Sequence, residues 1–364
     1  MSRKGENIYK RKDGRWEGRF LESYNPDGKG RYHSVYAASY TEVREKLKSY
    51  KTTAIKNPVR SSKLAKYCVE WLGMVKLNHK ESTYCKYRNI CENHILPVFA
   101  GLNISLISVE LIENFLADRL NNHKFSSKTV KDILCVLKQI FAFAEESGAN
   151  VICNFDHIHI RQKKNEMRVL SSDEQKILSD YLLKDMALDK LGIYLSLYTG
   201  IRIGELCALK WKNIQLNKQI LKIDKTMQRI QTFDSNEKTK VIIAEPKSLC
   251  SLREIPMPKF LCDILRSFKS SGNSFLLSGE SDRFVEPRAL SYSFKKHVEK
   301  CGLKDVNFHA LRHTFATRCV ESGFDIKTLS EILGHSSVKI TLDRYVHSSM
   351  ELKRKNMEKL AEIF

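Results

Sequence analysis

The chain has 364 residues, enough for two or three domains that each bury a core, and an ordinary apolar share of 42%. Its charge is less ordinary: 62 Lys and Arg against 42 Asp and Glu leave +20 at pH 7, which calls for a polyanionic partner, nucleic acid before a membrane surface. No long apolar run, signal-peptide pattern or lipidation signal is present, so no membrane association is expected. The 10 cysteines show neither a CxxC pair nor zinc-type spacing and read as buried, reduced thiols of a cytosolic protein.

Residues 1–56 make a first piece. Over residues 1–66 there are 17 Lys and Arg against 7 acids, so half of the +20 sits in the first fifth of the chain. Asp13-Gly14 lies between two strand-like runs in IYKRKDGRWEGRF and predicts a hairpin. A second turn at NPDGKG leads into RYHSVY. A helix then follows over Thr41–Lys51, with Ser39 and Glu42 fitting a capping box. The expectation is a three-stranded sheet plus one helix. Lys10, Arg11, Arg15, Trp16 and Arg19 stud its strands, either as a DNA-contacting face or as a solvated face over a core tryptophan.

NPVRSS (57–62) reads as a linker interrupted by Pro58. Residues 61–150 read as a helical bundle. In its last helix Val130, Ile133, Leu134, Leu137, Ile140, Phe141 and Ala144 keep a 3.6-residue period until Gly148 ends it. Lys80, Lys86 and Arg88 are candidate phosphate contacts on its outside. A charged stretch at 157–168 separates the third and largest piece, 168–364, which opens with a capping box at Ser171 and Glu174. That piece is mostly helical, with a small antiparallel sheet in the region 219–256. The fold class expected is therefore mainly α with small β elements (α+β).

The chemistry is concentrated in this third piece. In NFHALRHTFAT (307–317), His309, Arg312 and His313 share one helical face. Metal binding is disfavoured: Ala310 stands where a zinc-binding HExxH helix has Glu, and Arg312 would repel a dication. A solvated helix surface or a clamp for an anion remains. In YTGIRIGELCALKW (198–211), Arg202 interrupts an apolar segment with Glu205 three residues on, as a buried ion pair or an oriented anion-binding guanidinium. ILGHSSVKITLDRYVH adds His335 and, ten residues later, Tyr345.

TGIRIGEL, HALRHTF, LGH and Tyr345 together resemble the catalytic boxes of the tyrosine recombinase (phage integrase) family. EPKSLCSLREIPM (245–257) is similar to the hairpin that carries that family's catalytic lysine, here Lys247. A basic DGRW hairpin domain followed by a helical domain extends the resemblance over essentially the whole chain, as in integrases of temperate phages and conjugative transposons. The resemblance implies an arm-type DNA-binding domain over 1–56, a core-binding SAM-like domain over 61–150 and a catalytic domain over 168–364. It implies a site-specific recombinase that cuts and rejoins DNA through a 3′-phosphotyrosyl link, without metal or cofactor. Tyr345 would be the nucleophile, with Arg202 and Arg312 on the phosphate and Lys247 as proton donor to the leaving oxygen. His309 would orient or deprotonate Tyr345, His335 would hydrogen-bond the phosphate, and His313 would pack or support the residues that touch the phosphate. Implied too are a homo-tetramer on double-stranded DNA with core and arm-type sites, accessory directionality or DNA-bending proteins, and a bacterial, cytoplasmic setting. A type IB topoisomerase and a non-catalytic DNA-binding regulator are the alternatives. The tail puts Met350, Met357, Leu360, Ala361 and Phe364 on one helical face, for packing in cis or on a neighbouring protomer.

Overall fold

The structure is a computed structural model that describes residues 7–24, 30–56, 62–161, 167–233, 237–246, 249–346, 354, 357 and 358. Lys247, the NPDGKG turn, most of the first linker, residues 162–166 of the second and, apart from Met357, the apolar tail stripe lie outside the described residues. The chain divides into two compact units, residues 1–163 and 164–364. No helix among the described residues is long and apolar enough to cross a membrane.

The first unit begins with an antiparallel meander, β1 (Ile8–Lys10), β2 (Trp16–Tyr24) and β3 (Gly30–Ala37), followed by α1 (Tyr40–Lys56). The Asp13-Gly14 turn joins β1 to β2 as expected, with Gly14 at φ 87°. Strand alternation sorts the residues. Ile8, Gly18 and Val35 align on one face, where they meet Val43 and Leu47 of α1, while Tyr9, Glu17 and Tyr36 align on the other. Ser39 caps α1 by accepting from the Glu42 amide.

A helical bundle follows. It comprises α2 (Leu64–Asn78) and α3 (Glu81–Ile90), which runs through a π-helical turn at Cys91–Ile95 into α4 (Leu96–Phe99), then α5 (Val109–Asn121) and α6 (Ser127–Glu146). All seven apolar positions read from the period of α6 are buried, packing with Phe99, Ile104 and Ile112 in one core. Ser126 caps the start of α6, and Gly148, at φ 85°, follows its end.

The second unit is built around α8 (Leu188–Thr199), whose residues from Leu191 to Leu197 are all buried. A helix apolar on every side belongs inside its domain. Around it stand α7 (Ser172–Leu183), α9 (Ile203–Ala208), α10 (Lys259–Ser267), α11 (Pro287–Lys300) and α12 (Phe308–Glu321). The Ser171–Glu174 capping box at α7 has both of its bonds. The strands form a sheet β4–β5–β8 (Ile214–Gln215, Ile220–Ile223, Arg253–Pro256) and a separate hairpin β6–β7 (Thr226–Gln231, Thr239–Ala244). The last elements, α13 (Ile326–Leu333) and α14 (Val338–Tyr345), share a small apolar cluster of Ala316, Cys319, Leu329, Leu333 and Tyr345 with α12. All ten cysteines are free thiols, but Cys135 and Cys250 are exposed, against the expectation of burial.

Phe141 is 2% exposed and meets Phe155 edge-on at 5.1 Å. Truncation by Phe141→Ala is expected to destabilise the first unit by about 3–5 kcal/mol, read as a lower urea midpoint at unchanged slope.

Candidate active site

Two helices end where the functional groups gather. Gly200 closes α8 and Gly334 closes α13, both left-handed at φ 65°. An added Cβ would strain that backbone, and it would lie 2.5 Å from the Phe315 ring at Gly200 and 3.0 Å from Arg253 Nη1 at Gly334. The carbonyls exposed by these ends have no partner within their helices and carry the negative pole of the peptide dipoles. Guanidinium groups take them. Arg312 Nη1 donates to Gly200 O at 2.9 Å and Nη2 to Leu333 O at 2.7 Å. Arg202 Nη2 donates to Gly334 O at 3.1 Å, and Arg253 Nε donates to Ile332 O at 2.6 Å. Three successive carbonyls at the end of α13 therefore bind three different arginines.

One carboxylate stands among them. Glu205, on the first turn of α9, is 3% exposed. It accepts from Arg202 Nη1 at 2.8 Å and the Arg202 amide at 2.9 Å, and from Arg253 Nη1 and Nη2 at 3.0 and 2.8 Å. Burial works to raise the Glu205 carboxyl. The Arg253 hydrogen bonds, the Arg253 charge and then the Arg202 charge outweigh it and hold the group at about 2. The three guanidinia thus outnumber the carboxylate, a balance that suits an anionic ligand. Their spare capacity differs. A guanidinium has five N–H donors. Arg253, nearly buried, uses all three of its nitrogens on Glu205, Ile332 O and Ser251 O. Arg202 and Arg312 each commit one N–H from each Nη, and Arg202 is the more open of the two. Burial, then repulsion from Arg202 and Arg253, lowers Arg312 to about 9, still protonated at neutral pH.

Tyr345, the last residue of α14, is 6% exposed. Burial pushes its phenol up, and the Arg312 and Arg344 charges only partly offset this. The imidazole at its hydroxyl is that of His313, with Nδ1 to Oη 2.9 Å. The resemblance gave Tyr345 to His309; here it is His313 that meets the hydroxyl. Position 309 lies one helical turn before 313, and its ring meets His313 edge-on with centroids 4.6 Å apart. His335 stacks parallel to the Tyr345 ring at 6.2 Å, steered by a 2.8 Å hydrogen bond between Nδ1 and Thr341 Oγ1. Burial first, and then neighbouring positive charge, lowers His309 to about 4 and His335 to about 3. His313 is lowered to about 4 by burial, then by His309, Arg344 and Arg312.

The structure thus brings together Arg202, His309, Arg312, His335 and Tyr345 of the six residues singled out, with Lys247 outside the described residues. Sequence reasoning missed Arg253, whose partners lie 48 and 79 positions away, although it stands in the quoted stretch EPKSLCSLREIPM. Among the proposed DNA contacts, Trp16 takes the second of its two readings, beside the core. It packs edge-on against Tyr40 at 5.2 Å beside the small core, on the opposite face from Glu17. Lys10 pairs with Trp16 in register and is exposed. Arg11 and Arg19 lie on the other side, both donating to the buried Glu17 at 2.7 Å, and each lies over a tyrosine ring, Tyr36 and Tyr9 respectively. Arg15 pairs with Asp13 at the turn. In the bundle, Lys86 pairs with Asp132 and Arg88 with Glu92, while Lys80 sits at the start of α3.

The model of the phage integrase family matches residues 168–351, half of the chain. This protein belongs to the phage integrase family. A second model, the N-terminal SAM-like domain of phage integrases, matches residues 63–118. The integrase is 30% identical over 321 residues to a XerC-like tyrosine recombinase of Caldanaerobacter subterraneus, covering 81% of each chain. It is 25% identical over 308 residues to the ICEBs1 integrase of Bacillus subtilis, covering 80% of this chain and 81% of that one. In fold it resembles the Tn1549 transposon integrase in complex with a circular intermediate DNA, at TM-score 0.69 and 20% identity, over 82% of this chain and all of that one. It also resembles a lambda integrase dimer bound to a core site, at TM-score 0.60 and 18% identity, over 95% and 97% of the two chains. The chain is a tyrosine recombinase, an enzyme of DNA recombination and integration, and its mainly helical fold with small antiparallel sheets is the one expected.

Two consequences for stability follow from these groups. An ionisable group whose folded value is depressed gives stability that is complete above its unfolded value and drains away as the pH falls through the folded one. For His313 and His335 that window runs from 6.5 down to about 4 and about 3, so the melting temperature is expected to fall steadily below pH 6.5, and less steeply in His335→Gln. Glu205→Gln removes the counter-charge that Arg202 and Arg253 share and is expected to cost about 3–5 kcal/mol at neutral pH, measured by urea unfolding.

Proposed function

We propose that the site performs DNA strand exchange with Tyr345 as nucleophile and Arg202 and Arg312 as the phosphate clamp. The observation that carries this reading is the excess of guanidinium over carboxylate beside a buried tyrosine hydroxyl. The uncommitted N–H groups of Arg202 and Arg312 suit the two non-bridging oxygens of a phosphodiester, where charge grows in the transition state. Their positions are fixed before DNA arrives, because helix-end carbonyls and Glu205 already hold them. Guanidinia so placed supply the charge stabilisation that phosphoryl-transfer enzymes often draw from Mg²⁺.

Tyr345 attacks phosphorus to give a 3′-phosphotyrosyl link and frees a 5′-oxygen. The bond energy stays in the intermediate, so a 5′-hydroxyl of the partner strand reverses the step without ATP. Lys247 is assigned the protonation of the leaving 5′-oxygen, which otherwise departs as a poor alkoxide. His335 lies beside the phenol as a candidate hydrogen-bond donor to the phosphate. His309, at the open edge of the site, is assigned to the DNA side rather than to Tyr345.

The division of labour is part of the same proposal: residues 1–56 bind arm-type sites, 61–150 a core site, and 168–364 perform catalysis. A known lambda integrase forms a tetramer bound to a Holliday junction, and a tetramer on double-stranded DNA is proposed for this chain. The outward face with Tyr9, Arg11, Arg19 and Tyr36 suits a groove, with Arg15 at its rim for a phosphate. The exposed pairs Lys86–Asp132 and Arg88–Glu92 are each worth at most about 1 kcal/mol, so a DNA phosphate can displace either carboxylate.

The test is covalent trapping on nicked suicide duplexes in EDTA. The native protein is expected to give a band shifted on denaturing gels and Tyr345→Phe none; a band from the variant would remove Tyr345 from the chemistry. Supercoil relaxation by monomeric protein without strand exchange would point to a topoisomerase instead. Arg15→Glu is expected to lower arm-site affinity and the salt slope by about one counterion per lost phosphate contact, while core-site cleavage stays intact. Equal loss of both activities would sink the division of labour.

A further inference from the structure

The reading of Tyr345 as nucleophile leaves open where its proton goes. Resting on that reading, we propose that His313 is a catalytic residue, the acceptor of the phenolic proton. Its Nδ1 stands 2.9 Å from Tyr345 Oη, within the reach a general base needs, and both side chains are buried. The ring is held in place. Thr314, the next residue, donates to Ala310 O and accepts from the Leu170 amide at 2.9 Å, which fixes this turn of α12. His309 packs edge-on against the His313 ring.

No other acceptor side chain hydrogen-bonds the phenol among the described residues. His335 lies parallel to the phenol ring, with Nδ1 engaged by Thr341. The oxygens of Glu205 are occupied by Arg202 and Arg253. Arginine has no acceptor atom. The groups around His313 are His309 and Arg312 on its own helix and Arg344 and Tyr345 on α14. Burial and these positive neighbours keep the imidazole neutral at pH 7. A neutral ring with its proton on Nε2 turns the Nδ1 lone pair to the phenol.

The step balances. As the Tyr345 Oη–phosphorus bond forms, the phenolic proton passes to His313 Nδ1 and gives an imidazolium. The bond from phosphorus to the 5′-oxygen breaks, and that oxygen takes a proton from the general acid assigned to Lys247. In ligation the attacking 5′-hydroxyl returns its proton to that amine, and the tyrosine oxygen leaves with the proton of His313.

The experiment measures single-turnover adduct formation from pH 5 to 9 by the native protein, H313N, H309N and Y345F. It uses suicide duplexes with either the natural 5′-oxygen or a bridging 5′-sulfur at the cleaved bond. Asn keeps a hydrogen-bond acceptor near Nδ1 but holds no proton. H313N is expected to melt and bind DNA like the native protein and to form adduct about 10²–10³ times more slowly. Its defect should hold across this pH range, where the native imidazole is already neutral, and should persist with the sulfur leaving group, which departs without a proton. H309N should be less impaired than H313N. Cleavage by H313N at or above the native rate would overturn the proposal and make the hydrogen bond a latch. A defect repaired by sulfur would overturn it too, moving His313 to the leaving-group side. If H313N does not fold, H313Q is read in the same way. No adduct from the native protein would overturn the reading of Tyr345 itself, and this proposal with it.

Discussion

Everything in the catalytic unit depends on how three guanidinium groups are kept together out of water. Arg202, Arg253 and Arg312 repel one another, and a single carboxylate cannot neutralise them. The end of α13 supplies what is missing. Ile332, Leu333 and Gly334 present consecutive carbonyls with no helical partner, each facing a different arginine. Dipoles are a weaker counterweight than charges, so the site keeps a positive excess. That residue of positive charge is the property an anion-binding site needs, and it exists before any ligand arrives.

The same excess sets the protonation of the groups beside it. His313 and His335 stand against Tyr345, with His309 against His313, and burial together with neighbouring positive charge lowers all three imidazoles. A cationic imidazole on the phenol could not accept its proton. Burial, then His309, Arg344 and Arg312, keep His313 neutral at the Tyr345 hydroxyl. The cost is acid sensitivity, because each neutral imidazole disfavours the folded state as the pH falls.

A smaller version of the same design stands at the other end of the chain. Glu17, buried in the middle of the N-terminal sheet, accepts from Arg11, Arg19 and Ser34. Pinned to one carboxylate and lying over tyrosine rings, the two arginines lose much of their rotamer freedom. At both places a buried carboxylate serves as the fixed point from which arginines are aimed.

Much of this was legible in the sequence, because it is written locally. The period of α6, the Ser171–Glu174 capping box, the Asp13-Gly14 turn and the order of the boxes around Arg202, Arg312 and Tyr345 each depend on residues a few positions apart. Glu205 could be read as a partner of Arg202 because it lies three residues on, on the same turn. Arg253 could not be read that way, since its partners come from α9 and α13 and only packing brings those elements to β8. The two histidines of HALRHTF look alike in sequence. Which of them meets Tyr345 is set by how α14 crosses α12, a matter of tertiary packing. Trp16 stayed open between two readings for a related reason: alternation along β2 fixed which residues share its face, but not which face α1 would cover. The sequence alone determined the elements, the family and the chemical inventory, since those rest on local spacing. Tertiary structure decided which arginine has all its nitrogens engaged and which imidazole lies at the tyrosine hydroxyl, because those depend on contacts between segments far apart in the chain.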